Sequence, residues 1–175
     1  PAVGTVLKPG RWQRWALEAL GIVAIVVVVQ VWQARGLPEG EAPALAGTTV
    51  TGDTLDLKAL AAGGRPVLVA FWGTWCPVCK AEDGNLEAVA RDHGFIGVAM
   101  QSGDTKAVAA HLAERRLSFP TVNDEDGAIA RLWRVRGLPT HFVVDSSGQI
   151  RFRVVGYATE WGLRARLWWA ENVAP

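Results

Sequence analysis

The apolar positions of this chain fall into two regimes. From Trp15 to Trp32 they run almost unbroken, interrupted only by Glu18 and Gln30, and Ala19 to Val29 holds no polar side chain. At about 1.5 Å rise per residue a helix from Trp12 to Trp32 covers roughly 30 Å, the thickness of a bilayer core. Trp12 and Trp15 at one end and Trp32 at the other match the aromatic belts of membrane interfaces. The segment therefore reads as a transmembrane anchor. A cleaved secretory signal is a poorer fit, because the cleavage-like Ala44-Leu45-Ala46 lies well past the apolar stretch. A buried core helix fits poorly too, since the segment has no polar face.

Behind the anchor, short apolar runs alternate with helical periodicities. Thr48–Val50 and Thr54–Leu57, separated by Thr51-Gly52-Asp53, read as a small hairpin. Val67–Phe71 after Pro66 is an unbroken apolar run, as in a strand buried on both faces. A helix is expected from Pro77 to Asp92, with Leu86, Val89 and Ala90 inward. A second buried strand follows at Phe95–Met100, and then a helix from Thr105 to Arg116 with Asp104 as its cap. After the polar Asn123-Asp124-Glu125-Asp126 come a short helix at Gly127–Trp133 and a hairpin of Thr140–Asp145 with Ile150–Val155 through Ser146-Ser147-Gly148. Thr159 opens a last helix to Ala170. Interleaved strands and helices with a terminal hairpin predict an α/β fold with a mixed sheet. Residues 1–36 are then a cytoplasmic segment and anchor, 37–43 a tether, and 44–175 the folded domain.

Composition sharpens this division. The chain has 175 residues, half of them hydrophobic, and a formal charge of +1 from 18 basic and 17 acidic residues. Residues 1–42 hold four of the basic and three of the acidic ones, which leaves 14 of each sign behind them. A neutral domain has no basic patch for nucleic acid. Lys8, Arg11 and Arg14 precede the anchor and Arg35, Glu39 and Glu41 follow it, so the positive-inside rule puts the N-terminus in the cytoplasm and the domain on the other side of the membrane. In the last helix Trp161, Trp168 and Trp169, with Arg164 and Arg166, suit either a membrane surface or core packing, and core packing is the ordinary fate of large aromatics.

The chain has two cysteines, too few for a disulfide-stapled scaffold. Both lie in Cys76-Pro77-Val78-Cys79, at the junction of an expected strand and helix. There the free amides and macrodipole of the helix N-terminus stabilise a Cys76 thiolate, and Cys79 sits one turn on. Pro77 fits a first turn, where its missing N–H has no partner to lose. Thiol–disulfide exchange is the leading reading. A purely structural disulfide would stabilise weakly, because it closes so short a loop. A copper(I) site from the same two thiolates stays open, although His93, His111 and His141 are scattered. No cofactor beyond the Cys76–Cys79 disulfide is expected, and no resident metal.

The block Phe71-Trp72-Gly73-Thr74-Trp75-Cys76-Pro77-Val78-Cys79-Lys80, with Gly137-Leu138-Pro139-Thr140 leading into a strand, resembles the thioredoxin fold. More narrowly it resembles the TlpA-like, membrane-anchored thiol–disulfide oxidoreductases of bacterial envelopes. Val98–Asp104 and Gly156–Arg164 are most similar to the suppressor-of-copper-sensitivity protein D group. The resemblance covers residues 44–175. It implies Cys76 as the attacking thiol, Cys79 as the resolving one, and Pro139 as a cis-proline facing the disulfide. Leu138, Trp75, Pro77 and Val78 would then contact the partner chain. His141 lies near the site by sequence and reads as an ordinary strand residue.

Two departures qualify the resemblance. Ala70 stands where thioredoxin has a buried Asp, and Glu82 matches an acidic position of the TlpA-like group able to accept the proton of Cys79, unless it is merely an exposed helix Glu. The Pro usual after that Glu is replaced by Gly84. The Ala-Pro-Glu-Thr form of cytochrome c maturation reductases is absent around Pro139, which weakens that alternative.

The resemblance also implies protein thiols and disulfides as substrates, recharging by a DsbD- or ScsB-like transmembrane electron donor, and a part in copper tolerance or envelope thiol maintenance. Because Val78 supplies no charge between the cysteines, the expected potential lies nearer thioredoxin, about −270 mV, than DsbA, about −120 mV.

Overall fold

The computed structural model describes residues 11–173, which divide after Arg35 into two compact units. The first contains α1 (Arg11–Gln33), whose Trp12–Val29 window has a mean hydropathy of 1.6 and is wholly exposed. Among the described residues it is the one helix long and apolar enough to cross a membrane. Lys8, counted with the basic flank of the anchor, lies outside the described residues.

The second unit, from Gly36 onward, carries β1 (Gly40–Glu41), β2 (Ala46–Thr48), β3 (Thr54–Asp56), α2 (Leu57–Ala61), β4 (Val67–Trp72), α3 (Pro77–Ala90) and β5 (Gly94–Met100). It continues with α4 (Thr105–Glu114), β6 (Thr121–Asp124), α5 (Ala128–Leu132), β7 (Thr140–Val144), β8 (Gln149–Val155) and α6 (Glu160–Asn172). Six strands form a mixed sheet in the order β1-β8-β7-β4-β5-β6. β4, β5 and β6 run parallel, while β7, β8 and β1 are each antiparallel to their neighbour. β2 and β3 pair separately as the expected hairpin, two residues earlier on its first arm. Residues 37–43, read as a tether, are partly built into the sheet: Gly40 and Glu41 pair with Ile150 and Gln149.

Alternation along the strands explains the layers. Leu68, Ala70 and Trp72 of β4 face a cluster formed with Cys79, Leu86 and Val89 of α3, Val108 and Leu112 of α4, and Leu163, Leu167 and Ala170 of α6. Phe71 points the other way, with Trp133 at 5.6 Å and Phe142 at 5.8 Å between ring centres. β4 is buried at every position, as its unbroken apolar run required.

The helices start where side chains can cap them. Asp56, Asp104 and Thr159 accept the N–H of Ala59, Ala107 and Gly162, closing the first turns of α2, α4 and α6. In α6 the inward stripe is Leu163, Leu167 and Ala170. Only Trp169 reaches the core, edge-on to Phe152 at 5.2 Å. Trp161 is 80% exposed and Trp168 also faces solvent, so core packing, the expectation for these residues, is corrected: helical periodicity turns both outward while the aliphatic residues fill the interior.

Candidate active site

β4 ends at Trp72, and the loop Gly73–Trp75 carries the chain into α3. Cys76 is the N-cap of α3: it stays extended (φ −88°, ψ 111°), and its sulfur accepts the backbone N–H of Cys79 at 3.1 Å. Pro77 occupies the first turn, as a residue without an N–H can. The two sulfurs form a disulfide, with their Cα atoms 5.3 Å apart. Both cysteines are buried, whereas Trp75 and Val78 beside them are exposed.

The approach loop is held from the C-terminal end of β5. The Trp75 indole N–H donates to the carbonyls of Met100 and Gln101 at 3.3 and 3.2 Å, and the Thr74 N–H donates to Ser102 Oγ at 3.1 Å. The Leu138–Pro139 peptide bond is cis. Leu138 comes so close that a Cβ on Gly73 would stand 3.0 Å from Leu138 Cδ1 and 3.1 Å from the Trp75 ring. The structure thus brings together Trp75, Cys76, Pro77, Val78, Cys79 and Leu138 from two chain segments far apart in sequence.

The α3 face turned toward the sheet is more polar than a core normally allows. Glu82, one turn beyond Cys79, is 0% exposed, and the exposed-helix alternative for it is excluded. Its Oε2 accepts the Ala158 N–H at 3.0 Å, and its Oε1 lies 3.0 Å from His141 Nε2. His141 is 1% exposed and sits directly across the β4–β7 ladder from Ala70. Asp83 pairs with Arg115. For Glu87 burial pushes the carboxyl upward, but hydrogen bonds from the Ser118 N–H and Oγ and the charge of Arg91 outweigh it and hold the group below its usual range.

The other histidines stand apart from this pair. His111 stacks on Trp72 at 5.7 Å, and burial lowers its pKa against the opposing pull of Asp83. Among the described residues no three His, Cys, Asp or Glu side chains gather as a metal-binding group.

A strand, a buried disulfide at the cap of the next helix and a cis Leu138–Pro139 bond coincide with a family model described as the AhpC/TSA family, which matches residues 38–153. The chain belongs to the AhpC/TSA family. It is 34% identical over 121 residues to a thioredoxin-like protein of Haemophilus influenzae, covering 69% of this chain and 71% of that protein. It is 31% identical over 124 residues to the thiol-disulfide oxidoreductase ResA of Bacillus cereus, covering 69% of this chain and 70% of that one. Among solved structures, a secreted Mycobacterium tuberculosis disulfide oxidoreductase homologous to E. coli DsbE superposes with a TM-score of 0.60 at 28% identity, covering 70% of this chain and 93% of that one.

This AhpC/TSA-family chain therefore has the thioredoxin-like α/β fold and is a thiol:disulfide oxidoreductase of the DsbE/ResA type, with Cys76 and Cys79 as its cysteine pair. What the residue pattern did not single out is the Glu82–His141 contact. The signal was present: Cys79, Glu82, Leu86 and Val89 share one helical stripe, and His141 lies in a strand buried at every position.

Proposed function

We propose that this chain is a membrane-tethered reductant of protein disulfides in the bacterial envelope, using Cys76 to attack and Cys79 to resolve. The observation that carries the reading is the cap of α3. A sulfur that accepts a backbone N–H at a helix N-terminus is stabilised as thiolate and is thereby both a nucleophile and a leaving group. The exposed Trp75 and Val78, with Leu138 near Gly73 and the cis Pro139 after it, would form the surface against which a partner chain lies. Glu82, buried one turn behind Cys79, is the proton acceptor for that thiol.

In the reducing direction Cys76 thiolate attacks one sulfur of a substrate disulfide, the other leaves, and a mixed disulfide forms. Cys79 then attacks Cys76 Sγ, the substrate is released as a dithiol, and the Cys76–Cys79 disulfide remains. The apolar α1 supports an anchored arrangement with the N-terminus cytoplasmic, and a protein working as reductant in an oxidising compartment requires an electron donor, here a DsbD- or ScsB-like transmembrane thiol protein. The disulfide itself is the only redox group this cycle uses.

The test is trapping. Cys79→Ser expressed in the native host accumulates Cys76 mixed disulfides in the membrane fraction. No trapped species, with wild-type exchange intact, contradicts the assignment of roles. A copper(I) titration in parallel separates exchange from sequestration: tight binding without any exchange favours a copper module instead.

A further inference from the structure

We propose that Tyr157, held in place by Asn85, sets the specificity of the exchange site by receiving an apolar side chain about three residues from the attacked cysteine of an extended substrate chain. The inference rests on the exchange reading above and deepens it.

The sheet registers place the pieces. Phe71 of β4 pairs with Val98 of β5 and with Thr140 of β7, and Thr140 pairs with Val155 of β8. The four strands are therefore level at one end of the sheet, and each continues there into a different segment. β4 leads to Cys76, β5 to Met100 and Gln101, and β8 to Gly156 and Tyr157, while Leu138 and Pro139 lead into β7. Trp75 is tied to the end of β5 by its bonds to the Met100 and Gln101 carbonyls. With the strands in the order β8-β7-β4-β5, the disulfide lies between an aromatic residue at β5 and another at β8. Trp75 is 56% exposed and Tyr157 50%. Two strand spacings separate β4 from β8, roughly 10 Å, which an extended chain crosses in about three residues.

Tyr157 is held from both sides of its loop. The chain turns at Gly156, whose φ of +89° suits glycine, and the Gly156 N–H donates to the Pro139 carbonyl at 2.8 Å. The next residue, Ala158, donates its N–H to Glu82 Oε2 at 3.0 Å, and Thr159 caps α6. Asn85, about two turns along α3 from the exposed Val78, completes the arrangement. Its Nδ2 donates to Tyr157 Oη at 3.0 Å and to the Ala158 carbonyl at 2.9 Å. One amide group thus fixes the tip of the tyrosine and the backbone beside it, while half of the residue stays open to solvent.

An aromatic side chain restrained in advance loses little freedom when a partner covers it, which is why such residues contribute strongly to interfaces. The β8–α6 loop is therefore joined to both halves of the exchange site, to the cis-proline segment through Gly156 and to α3 through Ala158 and Asn85. A substrate chain with its cysteine at Cys76 and an apolar residue at the third position reaches Tyr157. A chain with a polar residue there gains nothing from it.

The test uses the reduced full-length chain and two symmetrical disulfide-linked peptide dimers. Each peptide has one Cys in a Gly/Ser background, with either Leu or Ser at the third position on both sides of it. In a single turnover the Cys76–Cys79 dithiol becomes a disulfide and the peptide disulfide becomes two thiols. Counting released peptide thiol against peptide concentration gives the half-saturating concentration and the limiting rate separately. The wild-type chain is expected to half-saturate with the Leu peptide at a roughly tenfold lower concentration than with the Ser peptide. Tyr157→Ala is expected to abolish that preference through the half-saturating concentration, and Tyr157→Phe, which keeps the ring, to retain most of it. Asn85→Ala weakens the preference in the wild-type background and changes nothing further in Tyr157→Ala. A wild-type chain without the preference overturns the proposal and needs no variant to fold. So does a Tyr157→Ala chain that keeps the preference, or one in which the loss lies in the limiting rate alone. The aromatic disulfide 5,5′-dithiobis(2-nitrobenzoate) separates the two levels of the account. If the wild-type chain reduces neither it nor the peptides, the exchange reading fails and this inference with it. If the wild-type chain reduces it but shows no Leu preference, this inference alone fails.

Discussion

The backbone N–H of Cys79 points at Cys76 Sγ across 3.1 Å, so a single turn of α3 both closes the disulfide and caps the helix. A serine at position 76 keeps an oxygen that caps equally well. Cys76→Ser should therefore fold with a stability within about 1 kcal/mol of the reduced wild-type chain and show no disulfide exchange. Urea denaturation alongside an insulin-reduction assay reads both quantities.

A side chain at Gly73 would crowd the site. A Cβ there stands 3.0 Å from Leu138 Cδ1 and 3.1 Å from the Trp75 ring, both of which must yield. Gly73→Ala should leave the fold intact and displace the surface beside the disulfide. A disturbance of about 1 kcal/mol there lowers kcat/KM for a protein disulfide roughly fivefold. Unchanged kinetics would show that Leu138 and Trp75 do not meet the substrate.

Asp124 ends β6 with its carboxylate buried and accepts the N–H groups of Ile129 and Ala130 at 2.9 and 2.8 Å. Asp124→Ala removes the acceptor and leaves both amides unsatisfied. The expected loss is about 2 kcal/mol of folding stability, read from the urea midpoint, with the redox potential of the cysteine pair unchanged.

Stability should fall on acidification, and Asp145 is one identifiable cause. Burial raises its pKa, but hydrogen bonds from Ser147 Oγ and the backbone N–H of Gln149 and Ser147, together with Arg151, outweigh burial and hold it below its ordinary value. A carboxylate depressed in the folded state contributes its stability above the unfolded pKa and loses it as pH falls through the folded one. The loss thus begins near the ordinary aspartate value, about pH 4, and continues below it. Asp145→Asn should lower the urea midpoint at pH 7 and flatten the acid limb. An acid limb identical to wild type would contradict the assignment.

How far the residue pattern could be read depended on how local the determining interactions are. The buried run Val67–Phe71, the Cys76–Cys79 turn and the caps Asp104 and Thr159 depend on neighbours in sequence, and each was legible. β6 was not, because Asn123-Asp124-Glu125-Asp126 reads as a turn until Asp124 is known to be buried as the acceptor for α5. β1 was hidden for the same reason: Gly40 and Glu41 become a strand only through pairing with β8. The outward Trp161 and Trp168 misled in the other direction, since large aromatics are ordinarily covered. Glu82 and His141 meet only after β7 has been laid beside β4.

The most direct test of the central claim is the equilibrium of the Cys76–Cys79 pair with a glutathione buffer. A reductant with an uncharged residue between its cysteines should poise near the thioredoxin value, about −270 mV. A potential above about −160 mV, in the range of oxidants that donate disulfides, would contradict it.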